Sequence, residues 1–458
     1  MGKELELLTY KMRQKKYDAL LVPREDMFSG EEVPKSEERL KYITNFTGSA
    51  GFAIILSNPN LKSAIFSDGR YQLQLRKQVD TKSFDVFNGG INEIGNFLKK
   101  NKKYLKIIAF DPWLLSSKKY EILSEILKNT PLILKSMDNN LIDEIWKKRP
   151  TEKEKSIFKL PLKRTGEKSV SKINRLKKVI KNNNCDFYIL FNPTGLSWLL
   201  NIRGRDLEYT PVSRSFCIVS SKGEVFIFSD NSTFKTIINE NNQIYLFQKS
   251  QLVCFLQKYK SKKFLIDPIF LPFQIQNLLL KVAFEIHTIT CPVEEFKSVK
   301  NANELNGFKV SHLKDGLAFL KLFFWIEKNL SLKELTELKI SEKLYELRSL
   351  EKTFICESFA TISAFNDNGA IIHYKANKLS EKTLDIDGLY LIDAGAHYLE
   401  GTTDTTRTIK IGKVSSEIID NYTLVLKGHI AIATAIFPKK TKGREIDALA
   451  RKALWSKG

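Results

Sequence analysis

The stretch that most constrains this chain is a candidate β-hairpin, GLYLIDAGAHYLEGTTDTTRTIKIG, over residues 388–412. An apolar run ends at Asp393, a glycine-bearing connection follows, and a β-branched run carries Asp404. Both flanks predict strands. A tight turn centred on Tyr398 and Leu399 would place Asp393 opposite Asp404, with β-carbons about 4.5 to 5.5 Å apart. The pattern therefore predicts two neighbouring carboxylates on one face of a sheet.

Two adjacent carboxylates repel each other and lose hydration unless a cation or a shared proton neutralises them, and a divalent metal ion is the obvious neutraliser. Simpler interpretations remain open from the residues alone. Asp393 fits a strand-end cap, Asp404 fits a partner for Arg407, and Gly401 fits a bulge that would change the register. Spacing does not decide between them, because short motifs have high false-positive rates.

Length and composition indicate a multidomain globular protein. A chain of 458 residues exceeds what one core normally organises, so two or three domains are expected. The N-terminus lacks the apolar segment of a signal peptide, and no run reaches the length of a membrane span. We therefore expect a cytoplasmic location and no membrane partner. The five cysteines occur singly, which predicts reduced thiols and neither a disulfide framework nor a zinc site.

The net charge of +21 would ordinarily suggest an acidic partner such as nucleic acid. The densest basic run, residues 147–181, holds 14 Lys or Arg against 3 Glu. Aromatic side chains that would stack on bases are nearly absent from it, which favours a linker and a solvated helix face. A nucleic-acid partner is not expected.

Three segments follow one another along the chain. Residues 1–150 alternate helix-like and strand-like stretches, as in an α/β domain with a mixed sheet, and residues 151–295 repeat the same kind of order. Residues 296–458 open with a long amphipathic helix. They continue to a predicted short strand that ends at His373 and to the hairpin, whose His397 is expected to be exposed. Taken alone, a histidine such as His373 after two isoleucines is typical of a core position.

Several blocks of this sequence resemble one family. DAGAHYLEGTTDTTRT, FSDGRYQLQ and GAIIHY closely resemble blocks of Xaa-Pro aminopeptidase (aminopeptidase P), of the creatinase and methionine aminopeptidase ("pita-bread") superfamily. The resemblance implies an α/β (α+β) protein with two creatinase-N-terminal-like domains, over 1–150 and 151–295, and an incomplete pita-bread catalytic domain over 296–458. It implies release of an N-terminal residue that precedes proline. Prolidase or creatinase chemistry on the same fold is the close alternative.

The resemblance also implies roles for four residues. Asp393 would chelate one divalent ion and Asp404 would bridge two, with Mn²⁺ expected and Zn²⁺ or Co²⁺ as alternatives. A metal-bridging hydroxide would attack the scissile carbonyl. His373 would contact the substrate and stabilise charge or shuttle a proton, and Arg70 would contact the peptide. The residues alone favour Arg70 as a turn arginine bonded to Asp68. Expected partners are a proline-containing peptide and a second copy of the chain in a homodimer.

The last residues, TKGREIDALARKALWSKG, resemble the stretch that precedes an HGTGHG block in the family. By the resemblance, that block supplies the third metal ligand and two later glutamates complete the site. Only two of the five ligands that the family uses are then present, so the chain is expected to be a C-terminally truncated fragment without activity of its own. The alternative is a non-catalytic pita-bread protein that binds peptide or nucleic acid.

Overall fold

The computed structural model describes residues 2–238, 243–332, 334–384 and 387–458. Two six-stranded sheets follow one another along the chain, and a smaller group of strands with helices that include one of 28 residues comes third. Within the described ranges, no helix combines the length and the apolar character needed to cross a membrane.

The first sheet is mixed, with its strands in the order β4-β3-β2-β1-β5-β6. β1 and β3 both pair antiparallel with β2, and the outer pairs are parallel. The three central strands are buried along their whole length, as expected where helices cover both faces of a sheet. The elements are α1 Lys3–Gln14, β1 Ala19–Pro23, α2 Arg39–Thr44, β2 Phe52–Leu56, β3 Ser63–Ser67, α3 Gln72–Gln78, β4 Phe84–Asn88, α4 Ile91–Lys100, β5 Ile107–Phe110, α5 Ser117–Leu127, β6 Ile133–Ser136 and α6 Leu141–Ile145.

The second sheet repeats this topology, in the order β12-β11-β10-β8-β13-β14. β8 and β11 both pair antiparallel with β10, and the outer pairs are again parallel. The predicted repetition of two related α/β domains is therefore confirmed. The elements are β7 Phe158–Lys159, α7 Leu162–Thr165, α8 Ser169–Asn182, β8 Phe187–Leu190, α9 Pro193–Leu200, β9 Ile202–Arg203, β10 Phe216–Ser220, β11 Val225–Phe228, α10 Phe234–Ile238, β12 Ile244–Phe247, α11 Leu252–Lys258, β13 Lys263–Ile266, α12 Phe273–Val282, β14 Glu285–Thr288 and α13 Pro292–Ser298.

The third group is built on an antiparallel sheet, β16-β17-β19, beside a two-stranded pair of β15 and β18. Its long first helix, α14, begins with a capping box in which Asn301 and Glu304 each accept a hydrogen bond from the other's backbone N–H, at 3.0 and 2.9 Å. The elements are α14 Ala302–Asn329, α15 Glu337–Ser349, β15 Phe354–Glu357, β16 Ile362–Phe365, β17 Gly388–Ala394, β18 Ala396–Tyr398, β19 Thr405–Ile411, α16 Ser416–Ala433 and α17 Gly443–Trp455.

The two faces of strand β17 have different surroundings. Burial alternates along it, and Tyr390, Ile392 and Ala394 pack into the core formed with α14 and α15. Because side chains of a strand point alternately to opposite faces, Asp393 lies on the face away from that core.

The basic run of residues 147–181 contributes to internal contacts. Arg164 pairs with Glu400 at 3.1 Å. Lys172 is 1% exposed, and its Nζ donates to Oδ1 of Asn201 at 2.7 Å. Part of the run therefore packs inside the protein. The cysteines of the chain are all free thiols, as predicted.

Candidate metal centre and substrate cleft

The two aspartates lie close together, although the predicted register is wrong. In the pairing of β17 with β19, Asp393 lies opposite Thr406, and the hairpin closes with the N–H of Tyr398 donating to the Gly401 carbonyl at 2.8 Å. The turn is one residue later than predicted, which shifts the pairing by two positions. Because the side-chain period of a strand is two, this shift leaves Asp404 on the same face as Asp393, as its diagonal neighbour.

The charges of the two aspartates act on each other. Partial desolvation and the neighbouring charge of Asp393 both raise the pKa of Asp404, and a hydrogen bond between the carboxyl groups adds to the shift. Thr406 Oγ1 donates to Oδ1 of Asp393 at 2.7 Å. Arg407 donates to the Thr406 carbonyl at 2.7 Å, so Asp404 lacks the arginine partner that was the simpler alternative. A carboxyl group whose pKa is raised by a neighbouring carboxylate suits a hard divalent cation as a partner of both.

The donor set is incomplete for a two-metal centre. Across the described ranges, no group of three or more His, Cys, Asp and Glu side chains is arranged to hold a metal ion. Asp393 and Asp404 therefore fit a divalent ion as oxygen donors, but a pair of ions needs further ligands besides these two carboxylates.

The backbone next to each aspartate is held by one buried ion pair that the sequence did not reveal. Arg348 Nη1 donates to the carbonyl of Gly395, two residues after Asp393, at 3.0 Å. Its partner Asp315 accepts from Oγ1 of Thr403, the residue before Asp404, at 2.8 Å. A charged residue of α14 and one of α15 therefore each hold one arm of the hairpin.

His373 lies in a turn, so the prediction that it ends a strand is wrong. A 3₁₀ segment, Asn366–Ala370, replaces the strand, and His373 has a φ of +58°. The buried carboxylate of Glu337 organises this loop by accepting hydrogen bonds from the Phe365 N–H at 2.6 Å and the Tyr374 hydroxyl at 2.8 Å. A left-handed backbone is unfavourable for a histidine unless its surroundings hold it.

The imidazole of His373 contacts a residue of the first α/β segment. Its Nδ1 is hydrogen-bonded to the hydroxyl of Tyr71, which is fully buried. The two rings meet edge to face, with centroids 5.4 Å apart. Tyr71 lies inside the FSDGRYQLQ block, but nothing in that block distinguishes it from a core tyrosine.

Arg70 makes an ion pair within its own turn and also reaches the cleft. It forms a bidentate ion pair with Asp68, at 2.9 and 2.8 Å, as the residues alone suggested. This contact lowers the pKa of Asp68. Arg70 also lines a cleft of about 1090 Å³, together with His373, Asp393 and Asp404. The structure thus brings all four predicted site residues to one cleft between the first α/β segment and the hairpin sheet.

His397 is half-buried, so the prediction that it is exposed is wrong. It belongs to β18, where it pairs with Cys356, and its Nδ1 is hydrogen-bonded to Thr402 Oγ1 at 2.7 Å. It lines a small cavity of about 70 Å³ together with Arg203 of β9. Burial lowers the pKa of His397 to about 4, and the nearby charge of Arg203 acts in the same direction. Packing of the second α/β segment over the hairpin therefore shields part of this histidine from solvent.

Comparison with known proteins identifies the domains. The Creatinase/Prolidase N-terminal domain matches twice, over residues 5–145 and 148–304, and Metallopeptidase family M24 matches over residues 306–458. A probable Xaa-Pro aminopeptidase P of Paracoccidioides lutzii is 33% identical, over 100% of this chain and 77% of that protein. Xaa-Pro aminopeptidase 1 of Dictyostelium discoideum is also 33% identical, over 100% of this chain and 75% of that protein.

A solved structure agrees with this assignment. The X-prolyl aminopeptidase of Caenorhabditis elegans, described as a cytosolic enzyme with a di-nuclear active site, superposes with a TM-score of 0.90 at 27% identity. The superposition covers 100% of this chain and 77% of that one. Fold and site together define a metallo-aminopeptidase architecture with two creatinase-type domains in front of an M24 domain. The chain belongs to the Xaa-Pro aminopeptidases of metallopeptidase family M24.

Proposed function

We propose that this protein acts as a metal-dependent aminopeptidase on peptides with proline in the second position, and that it releases the residue before the proline. The observation that carries the proposal is the meeting of Asp393, Asp404, His373 and Arg70 on the wall of one cleft. Its volume of about 1090 Å³ is ample for a short peptide. The names of the relatives at 33% identity supply the reaction class.

Asp393 and Asp404 would hold the metal ions. The description of the C. elegans enzyme as di-nuclear supports two ions, and oxygen donors favour Mn²⁺ among the divalent candidates. When bound, such ions would supply Lewis-acid polarisation of the scissile carbonyl and activation of water. Thr406 orients the Asp393 carboxylate through its hydroxyl, and the Arg348–Asp315 pair holds the backbone beside both aspartates.

Arg70 and His373 would act on the peptide directly. The Arg70 side chain keeps 44% of its surface exposed while Asp68 fixes its orientation, so it can donate to a peptide carbonyl in the cleft. His373 would form a hydrogen bond with the peptide near the scissile bond. Through that bond it would stabilise charge or transfer a proton.

The proposal also includes that these 458 residues by themselves bind metal ions only weakly. Its support is the donor count of the described residues, in which the two aspartates find no third ligating side chain. A cytoplasmic location, supported by the cytosolic C. elegans enzyme, and a homodimer, supported only by the family resemblance, complete the proposal.

The test compares two preparations with Mn²⁺. One is the 458-residue chain, and the other is the same chain extended by the part of the C. elegans enzyme that this chain does not cover. Matched Xaa-Pro and Xaa-Ala peptides are incubated with each, and the released residue is measured by mass spectrometry. We expect the extended form to cleave the Xaa-Pro peptide only and to stop after chelation, while the shorter chain retains little metal.

Matched variants guard this assay. Asp404→Asn should remove cleavage in the extended form, and Asp420→Asn, at an exposed site on α16, should leave it unchanged. An extended form that loads Mn²⁺ but cleaves neither peptide would refute the proposed function. Full activity of its Asp404→Asn variant would refute the metal assignment.

A further inference from the structure

A chain of hydrogen bonds runs from the surface of the first α/β segment to His373. The hydroxyl of Ser49 is 2.9 Å from Oε1 of Glu31 and 2.7 Å from the hydroxyl of Tyr71. The Tyr71 hydroxyl is in turn hydrogen-bonded to Nδ1 of His373. Four side chains that are far apart in sequence are therefore connected in one line.

The number of protons in this line fixes its direction. An ionised carboxylate only accepts hydrogen bonds, so Ser49 gives its single hydroxyl proton to Glu31. Ser49 must then accept a hydrogen bond from Tyr71, and this bond uses the single proton of the phenol. The Tyr71 oxygen can only accept from Nδ1–H of His373. Burial raises the pKa of Tyr71, which keeps the phenol protonated at neutral pH.

We infer that Glu31, Ser49 and Tyr71 form a positioning relay that holds the neutral imidazole of His373 as its Nδ1–H tautomer. The other ring nitrogen, Nε2, then carries a lone pair and can accept a proton or a hydrogen bond. The assignment goes beyond the placement of His373 at the cleft, because it states which nitrogen is left for the substrate. Only this last consequence rests on the proposed function.

The surroundings of Tyr71 are built to keep its hydroxyl in place. The ring packs edge to face on Phe46, with centroids 5.8 Å apart. Gly48 leaves room for both rings, since a β-carbon there would lie 2.7 Å from Tyr71 and 2.2 Å from Phe46. The guanidinium of Arg70 lies 5.3 Å from the centroid of the Tyr71 ring. A fully buried phenol with neighbours on several sides has little freedom to turn away from His373.

The relay also helps to explain why the backbone of His373 keeps a left-handed conformation. A φ of +58° is unfavourable for this residue. The hydrogen bond from the Tyr374 hydroxyl to Glu337 holds the backbone next to His373, and Tyr71 holds the ring. His373 is thus fixed from two segments of the protein, one of which carries Arg70. Positioning of the histidine and positioning of the peptide-contacting arginine are coupled through adjacent residues.

The test reads the tautomer directly by ¹⁵N NMR of the full 458-residue chain labelled at its five histidines, without any turnover. A His373→Asn variant assigns the signal. In the neutral form of the imidazole, wild type should show a protonated Nδ1 and an unprotonated Nε2. Ser49→Ala frees the Tyr71 proton, so Tyr71 should donate to Nδ1 and the tautomer should switch to Nε2–H. Tyr71→Phe should give a mixture.

Tyr42→Phe is the matched control. The Tyr42 hydroxyl lies in the same segment, and within the described part of the chain its hydrogen-bond partner is the Ile145 carbonyl, at 3.4 Å. It should leave the His373 signal unchanged. An Nε2–H tautomer in the wild type, or a spectrum that neither Ser49→Ala nor Tyr71→Phe alters, would overturn the relay. Since no substrate or metal is present, failure of the peptidase assay leaves this result intact, and failure of the relay leaves the assay intact.

Discussion

Arg348 and Asp315 form a bidentate ion pair between helices α15 and α14 that is almost entirely sealed from solvent. Nε and Nη2 of Arg348 donate to the two carboxylate oxygens of Asp315 at 2.8 and 3.1 Å, and the side chains are 0% and 1% exposed. Arg348 also donates to the Gly395 carbonyl, and Asp315 also accepts from the hydroxyls of Thr403 and Tyr398. The ion pair therefore links α14 and α15 directly to the hairpin that carries both candidate metal ligands.

Removal of one partner of this pair should destabilise the hairpin strongly. Arg348→Ala leaves the Asp315 carboxylate buried without a cation, which typically costs about 3 to 5 kcal/mol. Hydrogen exchange of the Ala396 and Thr403 amides should become faster by a matching factor. Arg451→Ala breaks a solvent-screened pair with Asp447 on α17 and should leave stability almost unchanged. Equal effects of the two variants would contradict the supporting role.

Glu337 should be intolerant even of its own amide. Oε1 accepts from the Phe365 N–H and Oε2 from the Lys382 N–H, at 2.6 and 3.1 Å. Whichever oxygen becomes NH₂ in Glu337→Gln, one backbone donor then faces another donor, at a cost of about 1 to 3 kcal/mol. Protection of these two amides should fall in the loop that carries His373. Glu342→Gln, exposed on the same helix, should have no effect.

His397 should make the protein less stable in mild acid. Its pKa is about 4 in the folded protein because of burial, against about 6.5 when unfolded. Between these values the unfolded chain binds the proton more readily, so the stabilisation is complete above about pH 6.5 and lost by about pH 4. The loss amounts to at most about 3 kcal/mol. His397→Gln should flatten the pH dependence of unfolding in this window relative to wild type.

A matched comparison isolates this effect from the carboxylates that titrate in the same range. His429→Gln removes an exposed histidine of α16 and should retain the wild-type slope. A wild-type slope in His397→Gln as well would show that the histidine of β18 is not held neutral by its surroundings.

The sequence was most informative where the local pattern alone decides the structure. The alternation of helix-like and strand-like stretches predicted two related α/β domains, and the apolar and β-branched runs around the hairpin predicted the strands β17 and β19. The hairpin register was wrong because tertiary contacts place the turn. Gly307 of α14 lets the turn approach the helix, since a β-carbon there would lie 2.3 Å from the Glu400 carbonyl.

The failures at the two histidines have the same cause. Glu337 accepts hydrogen bonds from donors as far as 45 residues away in sequence. These contacts hold the chain before His373 in a turn, where a strand was predicted. The second α/β segment covers His397, which a local pattern cannot show. Tyr71, Asp315 and Arg348 were missed because each acts through a partner far away in sequence, and their residue types are ordinary at such positions.

His373→Ala should separate chemistry from metal binding. The side chain is not one of the candidate metal ligands, so the extended form should still load Mn²⁺ as wild type does. Loss of a group that moves a proton or stabilises charge should lower kcat by a factor of roughly 10² to 10⁴. Isothermal titration with Mn²⁺ and steady-state kinetics check the two parts. Unchanged turnover would return His373 to a purely structural role.

Asp404→Asn should have opposite effects in the absence and presence of metal. Without metal it removes one of two neighbouring like charges, so thermal stability should equal or exceed that of wild type. With Mn²⁺ at about 100 times its dissociation constant, wild type should gain about 2.7 kcal/mol and the variant should gain little. Asp420→Asn should behave as wild type in both conditions. A metal response retained by Asp404→Asn would mean that Asp404 does not bind the ion, and a large loss of metal-free stability would mean that its charge has a structural partner.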